Sequence, residues 1–432
     1  MKLAVFHPGT QHSWQTSTAL QQMGLLEFYA TSIFYDRARW PYRVENYVPA
    51  ALGRRLGAEF RRFEHPALDP ANVRTVGMFE WLERIAQRVG AHRLSVKFDR
   101  MGNRRFSRLL EDEILSDRPF GLWGFNSSSL ETFLAGRAAG RTNILDRTLG
   151  DYRFYNRVMA EIFESHAEWF PDPLRAMDQK VIDRDDAEYD AAHHIVCGSE
   201  FCARTVRENS PVPGIADKLH VLPYCFDEAL FANAPAPQPV DRSGPVKFLF
   251  VGQIGMRKGI HHLLEAIDQL PADKASLTLV GHMHMSRKVF ARYEDRVTYI
   301  PSVPRAAIPA IMAQHHAMVF PSYFEGSSLS LLEGLASGLA LVHPPQAGNG
   351  ATPETGILLD RPSTDLTLAA MLELIEDRDR LDYFRANAQA EAARYTFANY
   401  RANVLDFLRT VGLVTPTEAE LAGRAMKAAR PV

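Results

Sequence analysis

Cysteine is scarce in this chain. Cys197, Cys202 and Cys225 are odd in number and lack zinc-type spacing, so they read as buried free thiols in a reducing compartment. Long apolar runs are missing too, since no stretch approaches the roughly eighteen residues needed to span a bilayer. Neither sign of charge is in excess: a formal net charge of -2 gives no electrostatic footing for nucleic acid. Compositional bias is absent as well, because 46% hydrophobic and 23% charged residues describe an ordinary folded chain. Met1-Lys2 leads straight into LAVFHPG with no small-residue cleavage site, so no secretory signal is expected and the protein reads as cytoplasmic. His193-His194 and His261-His262 are adjacent pairs rather than metal-spaced ones, and no metal site is expected.

At 432 residues the chain is long for one core, and two domains are the better expectation. Strand-like and helix-like segments alternate in both halves, which argues for an α/β fold of two parallel, doubly wound, Rossmann-like sheets. In the first half, strands are expected at 3–7, 120–125, 143–146, 194–197 and 218–222, with a helix over 17–28. A long polar helical region covers 153–192, interrupted near Pro171-Asp172-Pro173, and Ser199 stands as an N-cap. From Asp227 to Gly244 the chain turns Pro- and Ala-rich, which reads as an interdomain linker. Strands at 246–251, 276–280, 297–300 and 317–320 follow, with helices between them. The expected division is an N-terminal domain 1–226, a linker 227–245, a second domain 246–397 and a helical segment 398–432 crossing back to the first domain.

Met318 to Val342, MVFPSYFEGSSLSLLEGLASGLALV, is the most informative segment. It predicts a buried strand, a tight turn, Glu325 on a loop, a polar step and a helix carrying Glu333. Unpaired N–H groups at that helix start, Gly326, Ser327, Ser328 and Leu329, favour an anion. Capping by Ser327 or Ser328 explains the same residues. The helix is apolar nearly all round, so the Glu333 carboxylate needs partners. A ribose diol would supply two donors; a salt bridge to a basic side chain would serve as well. A second element is the turn Gly252-Gln253-Ile254-Gly255-Met256-Arg257-Lys258-Gly259 after a strand. It is neither a P-loop nor a GxGxxG fingerprint, but it sets Arg257 and Lys258 beside the carboxyl end of the sheet, where open α/β folds bind ligands. Lys would act on a diphosphate as a point charge and Arg as a two-pronged donor.

Together these pieces resemble the nucleotide-sugar glycosyltransferases of family 4, built on the GT-B plan of two Rossmann domains. The matching stretches are FLFVGQIGMRKGIHHLLEAI, PSYFEGSSLSLLEGLASGLAL, ETGILLD, and HHIVCGSEF with KLHVLPYCFD, and the likeness is strong over 192–400. The resemblance implies a retaining, metal-independent transferase that needs no cofactor and takes a nucleotide sugar as donor, with UDP, GDP or ADP undecided. It implies that Glu333 holds the ribose, that Glu325 faces the donor sugar, and that Lys258 neutralises the diphosphate with backbone N–H groups of Ser327 to Leu329. Val303 would line the base pocket. Gln253 stands where the family often has Arg, with Arg257 able to supply the charge. Asn126 stands where many members carry a His near the sugar. The acceptor would be a glycan or lipid-linked glycan bound by domain 1–226, with the nucleotide sugar bound by domain 246–397, in surface polysaccharide or glycolipid assembly.

Two other functions fit some of the same residues. A retaining glycosidase would need its carboxyls roughly 5–5.5 Å apart, whereas eight positions of helix separate Glu325 and Glu333 by about 12 Å. A non-catalytic nucleotide-sugar or glycan-binding scaffold is compatible with Asn126 and Gln253. The loop of His7, Gln11, His12, Ser13, Trp14 and Gln15 faces an acceptor or merely packs on its domain. The Arg-rich stretch Val48–Phe63 is a solvated basic face or a contact with anionic membrane.

Overall fold

The computed structural model describes residues 1–428 except 10–11, 50–52, 55, 58–59, 76–80, 84–85, 87–89, 92–93, 95–96, 99–100, 102–105 and 107–109. Its contacts divide the chain into two compact units. The first comprises Met1–Asp146, Asp183–Ile195 and Arg401–Val432, and the second Arg147–Ile182 and Val196–Tyr400.

The N-terminal half builds a seven-stranded sheet from β1 (Lys2–Phe6), β2 (Leu26–Thr31), β3 (Val73–Thr75), β4 (Phe120–Phe125), β5 (Asn143–Arg147), β6 (His194–Cys197) and β7 (Leu219–Val221), in the order β3-β2-β1-β4-β5-β6-β7. The pairs β1–β2, β1–β4, β2–β3 and β4–β5 are parallel. A helix at 17–28 is not what forms there. The helix is Ser13–Gln22, and it ends because Gly24 adopts φ 71°. The N–H of Leu25 then reaches Leu20 O at 2.8 Å and that of Gly24 reaches Gln21 O at 3.0 Å, a Schellman closure. LEFYAT is thereby released to become β2, a strand that the continuous apolar spacing had hidden inside the helix.

The second sheet uses β8 (Val246–Val251), β10 (Ala275–Val280), β12 (Val297–Ile300), β13 (Ala317–Val319), β14 (Ala340–His343) and β15 (Gly356–Leu358), ordered β12-β10-β8-β13-β14-β15. Its neighbouring strands pair in parallel throughout. A short parallel pair, β9 (Ile254–Gly255) with β11 (Met283–His284), stands apart. Phe248, Leu249 and Phe250 are all fully buried, as expected of a strand covered on both faces. The strand order reverses between β8 and β13, so the loops after these two strands diverge and leave the crevice in which such sheets bind ligands.

The Pro- and Ala-rich stretch forms one short helix, Glu228–Phe231, yet it is not loose. Phe231 and Val240 are buried in the second core, and Val240 N–H donates to Asp382 Oδ1 at 2.9 Å. Beyond Arg401 the chain belongs to the first unit, where Phe407 packs edge-on against Trp123 at 5.8 Å and the Met1 amine meets Glu418 at 2.9 Å. No helix among the described residues is long and apolar enough to cross a membrane.

Candidate functional site

After β8 the chain makes a 3-10 turn, Met256–Lys258, and Gly259 starts the helix Ile260–Asp268 at φ 66°. A Cβ on Gly259 would lie 1.9 Å from Pro321 O, so only glycine lets this turn close on the loop after β13. The two loops are then laced together: Tyr323 N–H donates to Arg257 O at 3.0 Å and Ser322 Oγ to the same oxygen at 3.3 Å.

This lacing gathers three charges. Glu325 Oε1 accepts from Lys258 Nζ at 2.5 Å, from Arg257 Nη1 at 2.7 Å and from Ser322 Oγ at 2.9 Å. The Lys258 and Glu325 side chains are 10% and 9% exposed, and the ammonium also sits 4.7 Å from the centre of the Phe320 ring. Burial pushes the Glu325 carboxyl up, but Lys258 and then Arg257 outweigh it and hold the group below the usual carboxylate range. Burial presses the Lys258 ammonium down from its ordinary value; Glu325 opposes that and Arg257 adds to it. Two cations on one carboxylate leave a local excess of positive charge, which suits an incoming anion.

The next residues form the tip of the helix Leu329–Ala336. Gly326 lies so close to Thr148 that a Cβ would stand 1.9 Å from its carbonyl oxygen, and Ser199 Oγ donates to Gly326 O. Ser199 also caps its own helix, as expected, by accepting from Cys202 N–H at 3.2 Å. Ser328 occupies the N-cap position without a side-chain cap bond. Its N–H donates to Ala347 O at 3.0 Å. Of the four backbone donors expected at this tip, Ser328 is therefore engaged, which leaves Gly326, Ser327 and Leu329 as the candidates.

Glu333 is 8% exposed on a helix whose Leu331, Leu332 and Leu335 are fully buried. Its Oε1 accepts from Arg305 Nη2 at 3.1 Å. The salt bridge anticipated as one way to satisfy this carboxylate is thus present, made by an arginine that is 54% exposed. Burial raises the Glu333 carboxyl above its ordinary value, Arg305 opposes this, and Asp227 adds to it. Val303, half-buried, packs on the core of the same unit, and Gln253 is exposed at the end of β8.

Behind the Pro321–Glu325 loop lies a buried polar chain that motif reading had not found. Thr364 Oγ1 donates to Glu265 Oε2 at 2.7 Å, so it accepts from Nδ1–H of His262 at 2.8 Å. The bare Nε2 of His262 then accepts from the Tyr323 hydroxyl at 2.5 Å, and that hydroxyl accepts from His261 Nε2–H at 3.2 Å. This pattern requires a neutral His262, and burial supplies it, holding the ring at about 4 with His166 contributing; burial also keeps His261 well below its ordinary value. His261 Nδ1 is left bare and buried, consistent with this tautomer. The adjacent histidines thus anchor the loop that carries Ser322 and Glu325.

Asn126 belongs to the first unit, after β4, where its N–H donates to Asp146 O at 3.1 Å and its Nδ2 to Ser127 Oγ at 3.3 Å. The same strand ends hold His12, whose Nε2 is 3.3 Å from Asp146 Oδ1, and His7, whose Nδ1 accepts from Gly9 N–H at 2.9 Å. Gln11 and part of Val48–Phe63 lie outside the described residues. Phe60 and Phe63 from that stretch are buried against Tyr35 and Tyr42.

Comparison with solved structures defines the class of fold. The chain superposes on the crystal structure of Anabaena Alr3699/HepE in complex with UDP with a TM-score of 0.59 at 15% identity, covering 95% of this chain and 100% of that one. The architecture is that of the GT-B glycosyltransferases, with two Rossmann-like domains. Residues 245–377, which include every charged group of the cluster after β8 and β13, match the family described as Glycosyl transferases group 1. The chain is 26% identical over 164 residues to the O-antigen chain mannosyltransferase B of Escherichia coli, covering 35% of this chain and 42% of that protein. It is 28% identical over 189 residues to the D-rhamnosyltransferase WbpZ of Pseudomonas aeruginosa, covering 40% and 48%. The match spans less than half the length of these relatives.

Proposed function

We propose that this protein is a retaining, metal-independent glycosyltransferase that moves a hexose-type sugar from a nucleoside diphosphate donor to a hydroxyl of a glycan or lipid-linked glycan. The observation that carries the reading is the buried Lys258–Glu325–Arg257 cluster at the switch point of the second sheet, beside a helix tip. The relatives, a mannosyltransferase and a rhamnosyltransferase, support sugar transfer in surface polysaccharide assembly.

In this reading Glu333 grips the ribose, Val303 borders the base, and the diphosphate sits between Lys258, the Gly252-Gln253 turn and the N–H groups near Gly326, Ser327 and Leu329. The bond from the anomeric carbon to the phosphate oxygen breaks with its electron pair passing to the diphosphate. Lys258 and Arg257 stabilise that charge, while Glu325 faces the electron-poor sugar. The acceptor oxygen bonds to the same face of the anomeric carbon, and its proton passes to a phosphate oxygen of the leaving group. Preorganised donors of this kind are each worth about 10²–10³ in rate.

A thermal-shift screen against UDP-, GDP- and ADP-sugars tests the reading, because a ligand that binds only the folded chain raises its melting temperature. Stabilisation by one nucleotide class, lost in Glu333→Ala, is the expected result. Indifference to all three classes would overturn it.

A further inference from the structure

A cavity of about 450 Å³ opens in the second unit beside Arg257, within the size range of small-molecule sites. One wall comes from the helix Tyr152–His166 and the segment 170–175, the other from the turn after β8 and from His284.

The segment is held in place at both ends. Ser286 N–H donates to Trp169 O at 2.8 Å, and Arg292 grips both oxygens of Glu168 at 2.9 and 2.8 Å. At the other end Asn156 and Met177 exchange two bonds, Met177 N–H to Oδ1 at 2.7 Å and Nδ2 to Met177 O at 3.1 Å. Pro171 and Pro173 stiffen the span between. A rim fixed before any ligand arrives does not have to be ordered at the expense of affinity.

The lining has two characters. Tyr155 and Phe170 give an apolar, aromatic face, whereas Asp172, Arg175, Gln253 and Arg257 bring a carboxylate, an amide and two guanidinium groups. A pyranose matches that division, with its C–H face against rings and its hydroxyls among planar polar groups. Gln253 and Arg257 belong to this lining and also to the diphosphate assignment above, and Arg257 holds Glu325 Oε1 at 2.7 Å, so the cavity borders the donor site at these two residues. The cavity therefore shares a wall with the carboxylate assigned to the donor sugar.

We propose that this cavity is the acceptor subsite and seats the terminal pyranose of the acceptor glycan. The inference rests on the donor reading of Glu325 and Lys258. Saturation-transfer NMR on the full chain, with methyl glycosides of mannose, rhamnose, glucose, galactose and N-acetylglucosamine as probes, tests it. At least one glycoside should receive saturation from the wild type. That signal should fall about tenfold in Leu174→Trp, which fills the cavity, and also in the exposed-site variants Asp172→Ala and Arg175→Ala. Nucleoside diphosphate stabilisation should be the same in all four proteins, which also reports that the variants fold. No glycoside signal, an unchanged signal in all three variants, or displacement of the glycoside by a nucleoside diphosphate would overturn the assignment. Failure of the wild type to be stabilised by any nucleotide would sink the donor reading instead, and the glycoside arm would still decide whether the cavity binds sugar.

Discussion

Replacing Glu325 by alanine removes the only carboxylate placed on Lys258 among the described ion pairs. Breaking a buried pair by deleting one partner typically costs about 3–5 kcal/mol, because the remaining charge is left uncompensated. Two features place this case near the lower figure. Arg257 is 26% exposed and keeps Phe324 O as an acceptor at 2.7 Å. Lys258 keeps the Phe320 ring, a contact worth about 0.5–2 kcal/mol, and it can shed its proton. The expected loss is about 3 kcal/mol, which at about 1.4 kcal/mol per factor of ten corresponds to roughly a hundredfold faster local opening. Hydrogen exchange read by mass spectrometry on peptides spanning 317–337 measures that opening without assuming that the whole chain unfolds in one step. The double variant Glu325→Ala/Lys258→Met supplies the control. With the stranded ammonium gone, it should recover about 1–2 kcal/mol relative to Glu325→Ala alone. The wild-type advantage has a definite pH window. Because the folded Glu325 carboxyl lies below its ordinary value of 4.5, the contribution is full above 4.5 and is lost as pH falls through the folded value. A Glu325→Ala protein that exchanges within about twofold of wild type at neutral pH, or a double variant whose losses simply add, would refute the reasoning.

Three further expectations follow from the same geometry. Lys258→Ala should cut sugar transfer by about two orders of magnitude or more while leaving circular dichroism unchanged; near-normal turnover would count heavily against its diphosphate role. Glu333 has a folded carboxyl raised above 4.5, so its neutral form favours the empty fold below that value and the advantage is lost as pH rises through the folded one. Nucleotide affinity should accordingly strengthen with rising pH across that interval in wild type and lose this slope in Glu333→Gln, by calorimetry; parallel profiles would argue that the Arg305 pair is the whole role of Glu333. Burial holds His7, His65, His262, His316 and His343 at about 4 against an ordinary 6.5. The unfolded chain binds more protons between those values, so stability should fall steeply as pH drops from 6.5 to 4, and a flat urea midpoint over that range would contradict neutral burial.

The cluster was legible because two local patterns carry it. A strand followed by Gly-containing turn chemistry placed Arg257 and Lys258 at one carboxyl end, and a strand, loop and apolar helix placed Glu325 at another. The parallel pairing of β8 with β13 then made the two ends neighbours. What stayed hidden depended on partners that no local pattern names. The spacing TALQQMGLLEFY satisfies a helix throughout, and only the left-handed conformation of Gly24 shows where β2 begins. Ser328 presents itself as a donor until Ala347, from the loop after β14, takes its N–H. Arg305 follows Val303 by two positions, and its pairing with Glu333 needed the helix to be placed beside it.

Tyr323 shows why the loop after β13 is more than a carrier of Glu325. Its backbone N–H is tied to Arg257 while its hydroxyl is tied to His261 and His262, and His262 in turn reaches Thr364, which donates to Glu265. One residue thus fixes the loop on its charged side through the main chain and on its neutral side through the ring. The neutrality matters, because a protonated His262 would present Nε2–H toward a hydroxyl that already donates there, and would add a third cation behind the two that hold Glu325. Burial keeps that proton away, so His262 adds no positive charge behind the loop, and Arg257 and Lys258 stand on the face that bears the carboxylate. In the proposed reading a diphosphate entering there adds negative charge where Lys258 and Arg257 outnumber the one carboxylate they share.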